Sequence, residues 1–307
     1  MTRYLYNSLL LVSCVTFVFS ATFDTSIGKC DFYMEGPYDI AKFKTYIKGR
    51  ADALVNQFGH IEKSKFYIKV VKDPQLLYEK FPDWASGIAI GDRIIIDYSK
   101  LSTQAKVFQI IAHELCHVYQ YRIPNSRSFK SWFKEGMAMH FAKEFSANGR
   151  KSIFSPRLVD YYIELGHLSN ISKIKNPNQV HSAYRESLIA YSAILRKYGK
   201  KSIKEIIQKM KNNHSFEEAF QVVAGISIID FESEMNEEIK NSNKASIFSR
   251  FSSFILFLAS IIIFFIFIYI RRRNMKIIKK WEIEEEIEEM NSKLNEEIDS
   301  EEKINSE

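Results

Sequence analysis

The run from Phe251 to Ile270, "FSSFILFLASIIIFFIFIYI", carries no charge, and it constrains the chain more than any other feature. As a helix rising about 1.5 Å per residue it reaches about 30 Å, the thickness of a bilayer's hydrocarbon core. Its apolar residues fall on every side, which suits lipid, whereas a helix lying on a protein core needs only a stripe. The run is read as a transmembrane helix over residues 251–270. "RRRNMK" follows at once, and arginines clustered after a span hold that side in the cytoplasm. The chain before the run is therefore expected outside the cytoplasm, in a single-pass type I arrangement in the cell membrane.

The other end agrees with this. Residues 1–20 hold a basic Arg3, an apolar stretch from Leu9 to Phe19 and permissible residues at Val18 and Ser20, the pattern of a secretory signal peptide cleaved after Ser20. "LVSC" at 11–14 also resembles a lipoprotein box, but the apolar run continues past Cys14, which favours the plain signal. The expected organisation is a signal peptide at 1–20, an extracytoplasmic domain at 21–245, the span at 251–270 and a charged cytoplasmic tail at 271–307. In that tail Ile283, Ile287, Met290 and Leu294 share one helical stripe among glutamates. So few apolar positions favour a solvated helix over a coiled coil.

The chain's 307 residues suffice for one enzyme domain with a proper core. A net charge of +6 comes largely from dispersed lysines, and no basic stripe interleaves with aromatics, so nucleic acid is not an expected partner. Cys30 and Cys116 remain after signal removal, in a compartment that permits a disulfide between them. Cys116, inside an apolar helix, reads better as a small buried thiol.

"CDFYMEG" has the look of a strand, "DIAKFKTYIKGRADALVNQFG" of an amphipathic helix stopping at Gly59, and "KFYIKVV" of a strand rich in β-branched and aromatic residues. A short helical piece is expected over 76–81. "GIAIGDRIIIDY" then fits a hairpin turning at Gly91 and Asp92. A helix over 103–121 follows, stopped by Pro124 and Asn125, and "SFKSWFKEGMAMHFAKEF" opens the next with Trp132, Met139 and Phe145 as apolar contacts. "SAYRESLIAYSAILRKYG", "SIKEIIQKMKNN" and "SFEEAFQVVAG" are helical, with Ser202 and Ser215 as N-caps. A small mixed sheet followed by helices makes an α+β domain.

Inside the helix over 103–121, "QIIAHELCHVYQYR" breaks an apolar run with His113, Glu114 and His117. At about 100° per residue, positions i and i+4 share a helix face, so both imidazoles can aim at one spot. This is the H-E-x-x-H arrangement, in which two neutral imidazoles hold zinc and the adjacent carboxylate works on a water. A catalytic zinc normally takes three protein ligands and keeps one position open. Glu135 and His140, both on the next helix, are the candidates for the third.

Those residues carry a resemblance. "HELCHVYQ", "SWFKEGMAMHFA" and "SAYRESLIAYSAILRKYG" resemble the gluzincin zinc metallopeptidases, in particular the bacterial peptidase MA-like domain family, where H-E-x-x-H is followed by W-x-x-E-G-x-A. The similarity extends in outline over residues 65–240; its first two motifs are specific and its helical tail is generic. The resemblance implies that Glu135 is the third ligand and that His140, where the family has an aromatic or bulky residue, packs against the metal helix. Met139 stands where some members place an acidic partner, so the resemblance names no residue that orients the histidines. It further implies an active-site edge strand packed on the H-E-x-x-H helix, here Gly87, Ile88 and Ala89, that pairs with substrate backbone. An oxyanion donor is expected from a later helix: Tyr184, or His181 one turn earlier, with Tyr184 preferred.

The expected chemistry is hydrolysis of peptide bonds, with Zn2+ on His113, His117 and Glu135 activating a water and Glu114 acting as general base, then protonating the leaving amine. The expected partners are a protein or peptide substrate and a membrane crossed once. The competing reading is a catalytically inactive peptidase-like domain that binds peptides or cell-envelope material; retention of His113, Glu114, His117 and Glu135 together favours catalysis. An intramembrane protease is disfavoured, because the metal helix carries charges and lies far from the span.

Overall fold

The computed structural model of the chain describes residues 18–36, 39–143, 162–168, 174 and 176–304. Phe145 therefore lies outside the described residues. Two compact units divide the chain, Met1–Asn241 and Ser242–Glu307. The first is a mixed α+β domain of five strands and a run of helices.

The strands are β1 (Val18–Thr25), β2 (Gly28–Glu35), β3 (Phe66–Val71), β4 (Gly87–Ile90) and β5 (Arg93–Asp97), in sheet order β1-β2-β3-β5-β4. The β1/β2 and β4/β5 pairs are antiparallel hairpins, while β2, β3 and β5 run parallel. β1 was not read as a strand from the sequence, since its first residues look like the end of a leader. Val18–Ser20 pair with Glu35, Met34 and Tyr33, and Ala21–Thr25 continue the ladder to Gly28. Cleavage after Ser20 would leave that second stretch paired.

Alternation along the strands builds the core. Phe66, Ile68 and Val70 of β3 and Ile94 and Ile96 of β5 are buried on one face. There they meet α1 (Ile40–Phe58) and α2 (Gln104–Tyr121). The opposite face carries a smaller cluster of Val71, Phe81, Ala85 and Ile95, closed by the segment before β4. That segment opens with a 3-10 turn at Pro74–Leu76 where a helical piece over 76–81 was expected. Proline at its first position presets φ, and Asp73 accepts from the Gln75 N–H.

Local chemistry sets the helix ends. Asp39 caps α1 through the Ala41 N–H, and Thr103 caps α2 through the Lys106 N–H. α3 (Ser131–Ala142) and α4 (Pro177–Tyr198) follow, then α5 (Ser202–Lys211), α6 (Phe216–Ala224) and α7 (Ile228–Ile304). Ser215 and Glu218 form a capping box on α6. Ser202 is the first helical residue of α5 rather than its cap, and its hydroxyl donates to the Gly199 carbonyl. Cys30 and Cys116 are both buried free thiols.

Among the described residues the second unit contains one helical stretch, Ile255–Met290, long and apolar enough to cross a membrane. Phe257, Ile262, Phe265 and Tyr269 are all more than half exposed, on several sides of the helix.

Candidate metal centre

α2 is held as the inner helix of the domain. Val107, Ile111, Leu115, Val118 and Tyr119 are fully buried, and the Tyr119 hydroxyl donates to the Gly59 carbonyl at the end of α1, 2.6 Å away. On its remaining face His113 and Glu114 are each only 7% exposed. Polar side chains so enclosed cost free energy unless they are paired or bind a ligand.

Nε2 of His113 lies 3.1 Å from Nε2 of His117, and Oε2 of Glu135 lies 3.4 Å from both. Four donors around a tetrahedral zinc, at about 2.0–2.1 Å from the ion, are separated by roughly 3.3 Å. The triangle of two imidazoles and a carboxylate therefore has the edge lengths that such an ion needs. Oε2 of Glu135 is buried and, among the described residues, has no hydrogen-bond donor within 3.4 Å other than the two imidazoles. With His, His and Glu as donors, the residues present fit zinc.

Gln120 fixes the orientation of one ligand. Its Oε1 accepts from Nδ1 of His117 at 2.9 Å, and its Nε2 donates to the Lys134 carbonyl at 2.9 Å and to Sγ of Cys116 at 3.7 Å. Because an amide oxygen only accepts, the proton sits on Nδ1 and the Nε2 lone pair faces the cluster. Burial alone would raise the Glu135 carboxyl, but the His117 and His113 imidazoles override it and hold it well below the usual carboxylate range. Burial pushes His117 down, and Glu135 outweighs that, leaving its pKa raised.

Glycines bring the surrounding elements close. A Cβ on Gly136, next to Glu135, would lie 2.4 Å from the Ser187 carbonyl oxygen and 2.6 Å from Cβ of Tyr191, so α3 and α4 touch backbone to backbone there. A Cβ on Gly87 would lie 2.5 Å from Cγ2 of Ile110 and 3.1 Å from Oε1 of Glu114, so β4 passes directly over the glutamate. Gly91 takes a positive φ at the hairpin turn. Beside it Asp92 accepts from Nε of Arg122 at 2.7 Å, which ties the hairpin to the end of α2.

These elements enclose a cleft of about 410 Å³ that is lined by His113, Glu114, His117 and Glu135, by Gly87, Ile88 and Ala89 of β4, and by Tyr184 of α4. The Tyr184 ring lies 6.3 Å from the His113 ring and 6.5 Å from Trp84, edge to face with both. His181 is exposed and does not line the cleft. The His140 ring packs against Tyr191 of α4 at 5.4 Å, where the sequence reading had it against the metal helix. Trp132 stacks on Phe231 and donates from Nε1 to Oε1 of Glu232 at 2.6 Å, which anchors the start of α3. Gln120, Trp84 and Glu232 were not singled out from sequence; only Gln120, one turn after His117, carried a local signal.

Neither a protein-family model nor a curated protein matches the sequence. Solved structures resemble it in fold. An aminopeptidase N family protein from Idiomarina loihiensis matches with a TM-score of 0.50 at 13% identity, covering 71% of this chain and 46% of that one. An M1 zinc metallopeptidase from Deinococcus radiodurans matches with a TM-score of 0.41 at 12% identity, covering 71% and 50%. A mutant of an M1 zinc metallopeptidase from the same organism, crystallised with a Tyr-Ser-Ala substrate, matches with the same score and shares. This chain thus spans about half the length of these proteins, and at 13% identity the likeness to the first is one of fold.

Proposed function

We propose that the protein is a zinc-dependent metallopeptidase of gluzincin type, anchored by one membrane span, with its catalytic domain outside the cytoplasm. The observation that carries this reading is the convergence of His113, His117 and Glu135 beside Glu114, under an edge strand. The fold shared with an aminopeptidase N family protein supports it. The apolar run ending at Ile270 in the helical stretch Ile255–Met290, with Arg271–Arg273 directly after it, supports the anchoring and its type I orientation. The signal peptide at 1–20 belongs to the same reading.

His113, His117 and Glu135 would hold the zinc, which when bound supplies Lewis acidity toward a water and a peptide carbonyl. Gln120 keeps the His117 lone pair turned inward. The substrate backbone pairs with Gly87, Ile88 and Ala89, so the peptide bond is presented to Glu114. The Glu114 carboxylate takes a proton from the attacking water as the new C–O bond forms. It returns that proton to the amine nitrogen as the C–N bond breaks. Tyr184 donates a hydrogen bond to the oxygen that becomes negative between those steps.

The test is metal analysis and peptide cleavage by the full chain in detergent, beside Glu114→Gln. The unaltered chain is expected to hold one zinc and to cleave. Glu114→Gln should keep the zinc and lose about 10²- to 10⁴-fold in turnover. Equal turnover in the variant would remove Glu114 from the mechanism.

A further inference from the structure

Resting on the peptidase reading, we infer that the cleft takes an internal, acidic stretch of a peptide, bound by Arg127 and Lys134, and gives no anchor to a free N-terminal ammonium. The charges that line the cleft are distributed unevenly. Among the described residues its only carboxylates are Glu114 and Glu135, both committed to the metal centre. Its other charged side chains are Arg127, exposed on the 3-10 turn at Ser126–Ser128, and Lys134, half-buried on α3.

Among the described residues neither cation has an ion-pair partner, although cations nearby do. Lys130, one turn before Lys134, pairs with Glu217 at 3.1 Å, and Arg122 pairs with Asp92 at 2.6 Å. Two unpaired cations in one cleft that also holds the reacting groups make a local field that favours carboxylates.

The field has a position along the cleft. Gly87 sits over Glu114, and Gly91 sits against the Tyr121 ring, where a Cβ would be 3.6 Å away. β4 therefore runs along α2 from the glutamate toward the α2–α3 connection, which carries Arg127, with Lys134 one turn into α3. From Glu114 to Tyr121 the helix rises roughly 10 Å, the reach of about three extended residues. A peptide paired with β4 has its reacting bond at Glu114 and continues past the two cations. An aminopeptidase needs an anion one residue from that bond to receive the terminal ammonium; among the described residues the committed carboxylates leave none in the cleft.

The test uses the full chain in detergent with zinc, and peptides of one apolar core flanked by three acidic residues or by three lysines, each acetylated and amidated. Versions with a free N-terminus, and a neutral peptide with a free C-terminus, complete the set. Binding of labelled peptides to Glu114→Gln is read by fluorescence anisotropy, and cleavage by the unaltered chain is read separately. The blocked acidic peptide should bind about tenfold more tightly than the lysine peptide, as expected for two partly exposed ion pairs gained rather than repelled. Freeing the N-terminus should give no gain. Lys134→Met and Arg127→Met should each reduce the discrimination several-fold, and Arg127→Met carries the test alone if Lys134→Met loses zinc.

Equal affinity for acidic and lysine peptides, a requirement for a free amine, or tight binding of the neutral peptide with a free C-terminus alone would overturn the inference. Discrimination unchanged in both variants would overturn the assignment to these cations. Acid-selective binding without any cleavage would retire the peptidase reading and leave this inference standing; cleavage without charge selectivity would do the reverse.

Discussion

Oε1 of Gln120 lies 2.9 Å from Nδ1 of His117, while its amide nitrogen holds the carbonyl of Lys134, the residue before Glu135. One glutamine thereby sets the geometry of two candidate metal ligands on two helices. Gln120→Leu keeps the volume and removes both contacts, so zinc affinity should fall about 10- to 100-fold. A competition titration against a chromophoric chelator measures it, and undiminished affinity would show that His117 is oriented by something else.

Gly136 stands where α3 meets the Ser187 carbonyl and the Tyr191 Cβ. Both obstacles are held by α4, so an added methyl group cannot be accommodated by a side-chain rotation. Gly136→Ala should destabilise the domain by about 1–3 kcal/mol and weaken zinc binding together, since Glu135 moves with the helix. Thermal unfolding with and without zinc reads both effects.

Gly87→Ala should separate stability from turnover. Its nearest obstacle is Cγ2 of Ile110, the end of a side chain that can turn away, and the next is Oε1 of Glu114. The unfolding midpoint should shift little, while kcat/KM drops roughly tenfold or more as the general base is displaced. A large loss of stability with normal turnover per folded molecule would contradict this placement.

The ligand cluster predicts a pH signature. Without metal, the lowered Glu135 contributes stability that is present above its ordinary value of 4.5 and is lost as pH falls through its depressed value. The raised His117 contributes stability that is present below 6.5 and is lost as pH rises through its folded value. The metal-free cluster is thus most stabilising between those two ordinary values. Zinc binds the deprotonated imidazole, so the thermal shift it produces should be larger at pH 8 than at pH 6, with protons released on binding. A zinc-induced shift that shrinks as pH rises would rule out His117 as a ligand.

Local signals in the sequence were enough to read α1 up to its Gly59 end, the hairpin at Gly91, the N-cap at Ser215 and the pair His113 and His117, because each depends on residues within one or two turns. Glu135 was reachable only through the second motif, since its distance from the imidazoles is set by the crossing of α2 and α3. The parallel placement of β3 between β2 and β5, and the Trp132–Glu232 bond across 100 positions, leave no periodic trace. β1 was hidden for another reason. An apolar segment ahead of a cleavage pattern satisfies the rules for a leader and for a strand alike.

β4 is a four-residue strand at the open margin of its sheet, with β5 on one side only. Its outer rungs can be completed only by a chain whose own amides are unspoken for. A helix, whose amides are bonded within it, has none to lend. Under the proposed activity, a substrate must therefore arrive unravelled at this edge, and a chain whose amides are already bonded within its own fold is spared.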